Sequence, residues 1–468
     1  MSSFGIGGTN AHAVLEEAPE VAASAASKRS WQVLPVSAKS EAALTASCAQ
    51  LADYLEARPE LVLADLAYTL QLGREAHGWR RALFCRDGAE AVSALRSVEQ
   101  GVRAAQQGPA VVFLYPGQGT QYPNMGVQLY REEAVYREAV DGCCDQLRAA
   151  LGLDLRGLLY PMAGEEALAA EQLRRTALTQ PALFVTEYAL TCLLAEWGIR
   201  PVAMLGHSIG ELVAACVSGV LERDAALALV AARGRLMEAA PSGVMLSLVA
   251  SAEEARDYEG EGVWLSVVNG PRASVLSCTH EALAQLESRL SEAGVAYQRL
   301  QTSHAFHCGL MDGVTDALRE VAGGLRAGPV GVPYVSNVSG DWMGEEVADP
   351  GYWSRQVRGA VKFAAGVEQV LSRHADCVLL EVGPGQALSQ LVRGVSKGRA
   401  LGVVRTLGGA KEAGDAGQWL ARALGELWCT GVAVDWSHAL RGERRLKVEL
   451  PGYPFQRKRY WVEPGRRT

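Results

Sequence analysis

Along the chain, the apolar positions change their spacing in a repeated order. AVVFLYPGQGTQ, RPVAMLGHSIGE and DCVLLEVGPGQA each begin with a nearly continuous apolar run, pass through a glycine-containing turn and continue toward a helix. Short apolar runs alternating with helices predict a parallel sheet buried on both faces. Ligands of such sheets bind beyond the carboxyl ends of the strands, so the three turns are expected to meet around one pocket. Upstream, WQVLPVSA reads as a strand, and EAALTASCAQLADYLEARPE and RRALFCRDGAEAVSALRSVEQ carry helical patterns. Together they predict a small α/β module from Trp31 to about Gly108. The polar, small-residue run VAASAASKRS separates this module from a short glycine-rich head. Downstream, LGGAKEAGDAGQ reads as a loop, QWLARALGELWCTG as a helix and YPFQRKRYW as an aromatic and basic tail.

Within the second turn, Ser208 stands in GHSIG, the GxSxG pattern of a nucleophile elbow. Flanking glycines tolerate the tight backbone and lift the hydroxyl into the cleft. Leu212, Val213, Cys216, Val217, Val220 and Leu221 follow a helical spacing. The N–H of Ile209 is therefore expected at a helix N-terminus, oriented toward an oxyanion. Glu211 in the first turn suits the helix dipole. A serine nucleophile needs a base, and His307 in SHAFHCGLMD is the leading candidate. Leu310, Val314, Leu318, Val321 and Leu325 predict a helix after it, whose positive end would keep the imidazole neutral. His304 is the rival, and His207 reads as structural. Arg233 stands at the centre of an apolar helical face made by Ala226, Leu229, Val230, Leu236, Met237 and Ala240. A guanidinium there needs a partner, either a buried structural ion pair or a substrate carboxylate held in bidentate geometry.

Composition narrows the class of partner. The 468 residues suffice for about two to four domains, and 49% hydrophobic content makes the chain globular. A net charge of -7 and a pI near 5.8 give no general attraction to nucleic acid or an anionic membrane. In such an acidic chain the basic tail reads as a packed surface segment. The ten cysteines include the adjacent Cys143 and Cys144 but no CxxC, which fits reduced thiols better than a disulfide framework or a zinc site. No metal site is expected. The N-terminus lacks the pattern of a signal peptide and no segment is continuously apolar over a membrane's thickness, so a soluble, cytoplasmic protein is expected.

Taken in order, these motifs resemble the acyltransferase domain of a modular type I polyketide synthase with its flanking linkers. SSFGIGGTNAHAVLEEAP is similar to the tail of a preceding ketosynthase; FLYPGQGTQ, GHSIGE, the RGRLM arginine, VVNGPR, HAFH and EVGPG resemble the acyltransferase signatures; YPFQRKRYW looks like the post-acyltransferase linker. The resemblance implies boundaries at 1–28 for the ketosynthase tail, 29–109 for a small α/β linker domain, 110–407 for the acyltransferase and 408–468 for the last linker. It implies an α/β fold with a parallel-sheet, α/β-hydrolase-like large subdomain and a ferredoxin-like small subdomain at about 244–301.

The resemblance also implies a ping-pong reaction without bound cofactor. Ser208 would take an acyl group from acyl-CoA, with His307 as base in a Ser-His dyad, and pass it to the phosphopantetheine thiol of an acyl carrier protein. Gln118 and Ile209 would supply oxyanion N–H groups, and a backbone carbonyl near the EVGPGQ turn would orient His307. Arg233 would hold the extender carboxylate, with His207, Phe306, His304, Asn269 and Gln180 as further substrate-binding residues. HAFH and Ile209 resemble malonyl-loading members, whereas methylmalonyl-loading members carry YASH; Cys308 stands where the family usually has serine.

Other readings remain open from the sequence. They are a methylmalonyl or unusual extender, a serine hydrolase or editing thioesterase, which would want an acid between Ser208 and His307 where Asp224 and Asp257 have no clear claim, and a non-catalytic scaffold. His12 in GGTNAH resembles a ketosynthase loop without that enzyme's nucleophile, so no condensation is expected. The chain looks like a fragment of a larger multienzyme that docks on the adjacent ketosynthase, with Met1 added at the cut and the excised piece a monomer.

Overall fold

The computed structural model describes residues 1–17, 22–97, 101–104, 108–302, 304–459 and 461. Ser303 of SHAFHCGLMD, Val21 of the first linker run and Tyr460 of the tail lie outside them.

The centre is a five-stranded parallel sheet of β1 (Val111–Tyr115), β2 (Ala203–Gly206), β3 (Tyr334–Val335), β4 (Val378–Glu381) and β5 (Gly402–Arg405), in the order β3-β2-β1-β4-β5. Every residue of β1, β2 and β4 is buried, as continuous apolar runs between helical layers require. The register pairs Leu114 with Leu205 and with Glu381, so the three predicted turns leave adjacent strands at one edge.

Three helices set the floor of that edge: α1 (Thr176–Glu196), α2 (Gly210–Ser218) and α3 (Arg223–Glu238). Helix α1 is apolar almost all round, long enough to cross a membrane by length and composition, and buried as the core helix of this fold. It packs against α3, where a side chain at Gly234 would stand 3.0 Å from the Thr176 carbonyl oxygen. That close approach holds Arg233, one residue away, against the start of α1. Helix α2 ends at Gly219 with φ 87°, so Val220 and Leu221, predicted to continue the helix, lie beyond its left-handed cap.

Residues 244–299 form a β-α-β-β-α-β unit whose antiparallel sheet runs Tyr297–Arg299, Val244–Leu248, Ala273–Cys278, Val263–Gly270. This is the ferredoxin-like arrangement. The linker module has its own antiparallel sheet of Gln32–Ala38, Trp79–Cys85 and Val102–Arg103, and its own core around Leu34, Leu51, Leu66 and Leu83. Helix Ala416–Thr430 packs between that sheet and β5, and the tail returns onto the module: Lys39 N–H donates to the Tyr453 hydroxyl at 2.9 Å.

The helix predicted after His307 differs from expectation. Gly309–Val314 is a 3-10 turn, the α-helix proper spans Thr315–Gly323, and Leu325 lies beyond it. Gly309 is pressed against the Trp264 ring, where a Cβ would stand 2.6 Å from Cζ2, and the segment tightens to fit.

Candidate active site

The serine elbow is dictated by contacts at its two glycines. A Cβ on Gly206 would lie 2.1 Å from the Glu211 nitrogen, and one on Gly210 would lie 2.2 Å from the Tyr115 carbonyl oxygen of β1. Only glycine allows β2 to turn into α2 this sharply. Ser208 takes the consequence as φ 54°, a left-handed conformation that costs a non-glycine residue roughly 1–3 kcal/mol. One side chain clamps the turn: Asn337 Oδ1 accepts from Ser208 N–H at 2.7 Å while its Nδ2 donates to the Gly206 carbonyl at 2.8 Å.

His307 also has a left-handed backbone, φ 57°, and is 3% exposed. Its Nδ1 lies 3.0 Å from the Gln356 carbonyl and 3.1 Å from the Gly359 carbonyl. Carbonyls only accept, so Nδ1 carries the proton and Nε2 is the acceptor. Ser208 Oγ therefore donates to Nε2, at 2.7 Å. Burial, then the Arg233 charge, then His207 push the imidazole pKa down to about 3, which keeps it neutral. The orienting group is thus a backbone carbonyl, but it comes from the end of α4 (Gly351–Arg358) and not from the EVGPGQ turn. That turn lies on the other side of β1, where a Cβ on Gly383 would stand 2.5 Å from Pro116 Cγ. The α-helix dipole expected behind His307 gives way to burial and charge as the cause of its neutrality. No carboxylate meets Nδ1 among the described residues; Asp224, one acid a hydrolase would use, is ion-paired to Arg223 at 2.9 Å.

Arg233 is 1% exposed and reaches the serine. Nη1 donates to Gln180 Oε1 at 2.8 Å, and Nη2 donates to Gln356 Oε1 and to Ser208 Oγ, each at 3.1 Å. Its Nε has no acceptor and it has no ion pair among the described residues. Burial lowers its pKa to about 10, with Glu211 opposing, so it stays charged at neutral pH. The buried structural ion pair weighed for it is therefore absent from the described residues.

The remaining predicted residues fall into smaller groups. Ile209 stands at the leading edge of α2. Gln118 lies in the turn after β1 and its Nε2 donates to Thr176 Oγ1 at 3.4 Å. A Cβ on the neighbouring Gly117 would stand 3.1 Å from His207 Nδ1, so this turn abuts the elbow. His207 Nε2 donates to Asn269 Oδ1 at 3.0 Å, which ties the elbow to the small subdomain. Phe306 is buried, and the His304 ring stacks on it with centroids 6.2 Å apart. Cys308 is buried and donates to the Ala305 carbonyl at 3.2 Å, while burial pushes its thiol pKa up.

Sequence reasoning missed the support beneath the pair. Gln356 Nε2 donates to the Ser208 carbonyl at 2.8 Å and to Glu211 Oε2 at 3.2 Å. Glu211, read as a first-turn acid that suits the helix dipole, is fully buried, accepting also from the Tyr352 hydroxyl and from Asn337 N–H at 3.2 Å. Burial raises its pKa to about 7, with those donors pulling the other way. The one available signal was polar residues inside the otherwise apolar segments YVSN and YWSRQV.

Comparison with known proteins is consistent across this geometry. The family model described as acyl transferase domain matches residues 112–434, and one described as CurL-like, PKS C-terminal matches 32–95. The mycoketide-CoA synthase of Mycobacterium tuberculosis is 37% identical over 476 residues, covering 99% of this chain and 11% of the synthase. A phenolphthiocerol/phthiocerol polyketide synthase of the same species is 36% identical over 486 residues, covering 99% of this chain and 32% of that protein. The chain thus spans less than a third of the length of these curated relatives. The acyl transferase domain of ZmaA superposes with a TM-score of 0.85 at 35% identity, covering 90% of this chain and 99% of that one. Malonyl-CoA:acyl carrier protein transacylase (FabD) from Xanthomonas oryzae pv. oryzae gives 0.57 at 28% identity, covering 64% and 95%.

Proposed function

This chain belongs to the acyl transferase domains of polyketide synthases, and within that family we propose that it loads an extender acyl group, malonyl, from coenzyme A onto an acyl carrier protein through Ser208. The observation that carries the reading is one oxygen with two neighbours: Ser208 Oγ is 2.7 Å from a neutral imidazole and 3.1 Å from a buried guanidinium. His307 Nε2 takes the hydroxyl proton as Oγ attacks the thioester carbonyl, and returns it to the departing sulfur. N–H groups of Ile209 and Gln118 stabilise the tetrahedral oxyanion. Arg233 grips the free carboxylate in bidentate fashion. The carrier's phosphopantetheine thiol then attacks the acyl-serine ester, with His307 again moving the proton.

Malonyl rather than methylmalonyl is supported by Phe306, whose bulk beside the substrate α-carbon would reject a methyl group at about 1–3 kcal/mol. In the whole synthase the acceptor carrier and the ketosynthase are the protein partners, in the cytoplasm. Brief incubation with equimolar malonyl-CoA and methylmalonyl-CoA, followed by intact-protein mass spectrometry, tests the reading. A malonyl adduct is expected, absent in Ser208→Ala and reduced at least about 30-fold in Arg233→Ala, the loss of a buried charge pair. A methylmalonyl adduct overturns the specificity, and free acid released without an adduct overturns the transferase chemistry.

A further inference from the structure

Proton transfer from Ser208 to His307 creates a charge problem that this site does not solve with its own residues. As Oγ bonds to the thioester carbon, the negative charge left by that proton passes to the carbonyl oxygen, and the imidazolium and the Arg233 guanidinium remain as two positive groups beside one oxygen in a buried cluster. Among the described residues no carboxylate pairs with either group. Glu211, the acid whose charge acts on Arg233, is one amide removed: it receives Gln356 Nε2, while Gln356 Oε1 receives Arg233. The Arg233 Nε–H is buried with no acceptor. In addition, the Nη2 bond to Ser208 Oγ engages one of the hydroxyl's two lone pairs and draws electron density from the oxygen that must attack.

We infer that the carboxylate of the incoming acyl group is itself part of the catalytic machinery: by pairing with Arg233 it makes the Ser208–His307 dyad reactive. This rests on Ser208 being the nucleophile. A carboxylate seated on Nε and Nη2 satisfies the orphan donor, draws Nη2 away from Oγ and offsets the positive charge that opposes the imidazolium. The Oγ proton then passes to His307 Nε2, the Oγ–carbon bond forms, the carbon–sulfur bond breaks and the thiol leaves with the proton from Nε2. An acyl group without a carboxylate is disfavoured in the rate of acylation as well as in binding. Low basicity at His307 with Arg233 unpaired agrees with this.

The test separates the carboxylate from the acyl group. Acetyl-CoA supplies the thioester and sodium formate the missing charge, with sodium chloride at equal ionic strength as control, and acetylated protein is followed by intact mass. Formate is expected to raise the initial acetylation rate at least about tenfold, saturably, the scale of restoring one unit of basicity to a general base. The same formate slows malonylation by competing for Arg233. Arg233→Gln abolishes the rescue, and Arg233→Lys, which keeps the charge without the fork, weakens it. Formate that leaves wild-type acetylation unchanged or slows it overturns the inference without recourse to any variant. If malonyl-CoA itself gives no Ser208 adduct, the nucleophile assignment fails as well, whereas malonylation without formate rescue refutes this inference alone.

Discussion

The turn after β2 and the turn after β4 leave the sheet on either side of β1, and each covers buried carboxyl groups. Beneath the first, Glu211 accepts from Tyr352, Asn337 and Gln356, and its pKa comes to about 7. Beneath the second, Glu381 accepts the N–H groups of Leu388 and Ser389, but Glu187 has no partner for either oxygen among the described residues. Glu187 is fully buried and its pKa lies well above the ordinary value, from desolvation and the neighbouring Glu381. Burial acts on both acids, and the donors decide the rest. An acid with three donors can ionise near neutrality and serve a network, while one with none stays protonated and only costs stability.

The sharpest test of the difference between the turns is steric. Gly210→Ala drives a Cβ against the β1 backbone and is expected to cost more than about 4 kcal/mol, enough to prevent folding. Gly385→Ala in the other turn meets nothing nearer than Thr120 Cγ2 at 3.6 Å, and only its φ of 86° counts against it, at roughly 1–2 kcal/mol. Urea unfolding of both variants checks this. Equal losses would remove the distinction between a turn fixed by backbone contact and one fixed by conformation.

Glu187→Gln tests the unpartnered acid and carries a pH signature. In the unfolded chain Glu187 ionises near its ordinary pKa, while in the fold it keeps its proton. The folded pKa is raised, so the stability tied to this proton is full below the unfolded pKa and declines as pH rises toward the folded one. The wild type should lose about 1.4 kcal/mol per pH unit across this window from this group, and Glu187→Gln should not. The variant therefore gains on the wild type by about 2.5 kcal/mol between pH 5 and pH 7, measured as urea midpoints. A constant difference across that range would mean that Glu187 is ionised in the fold.

The sequence made the two turns look alike, and the reasons differ by residue. Apolar runs ending in glycine revealed β1, β2 and β4, because burial on both faces leaves no polar alternation to confuse them. Ser208, His307 and Arg233 were legible as chemistry: a serine between glycines, a histidine beside apolar spacing, a guanidinium on an apolar helix face. Gln356 and Asn337 were not, because each is one polar residue in a short element, and its value depends on which backbone atoms the fold brings near. The carbonyls of Gln356 and Gly359 that orient His307 have no side-chain signature at all. Assigning that role to the EVGPGQ turn used the correct edge of the sheet but the wrong side of β1. The strand order of the small sheet came from the structure.

The smallest predicted effect probes the partnered acid. Tyr352→Phe removes one of Glu211's three donors and leaves Ser336 Oγ, 2.7 Å from the Tyr352 hydroxyl, without that contact. The folded pKa of Glu211 then rises above about 7. At pH 5 the acid is protonated in both proteins and the variant is weaker only by the lost hydrogen bonds, about 1 kcal/mol. Above pH 7 the wild type stops losing stability as Glu211 ionises in the fold, while the variant goes on losing it until its own higher pKa is passed. The gap between the two should therefore widen from pH 7 to pH 8.5 by about 1 kcal/mol, read from urea midpoints. A gap that stays constant with pH would mean that Tyr352 packs against Glu211 without tuning it, and the contrast with Glu187 would reduce to the count of neighbouring donors.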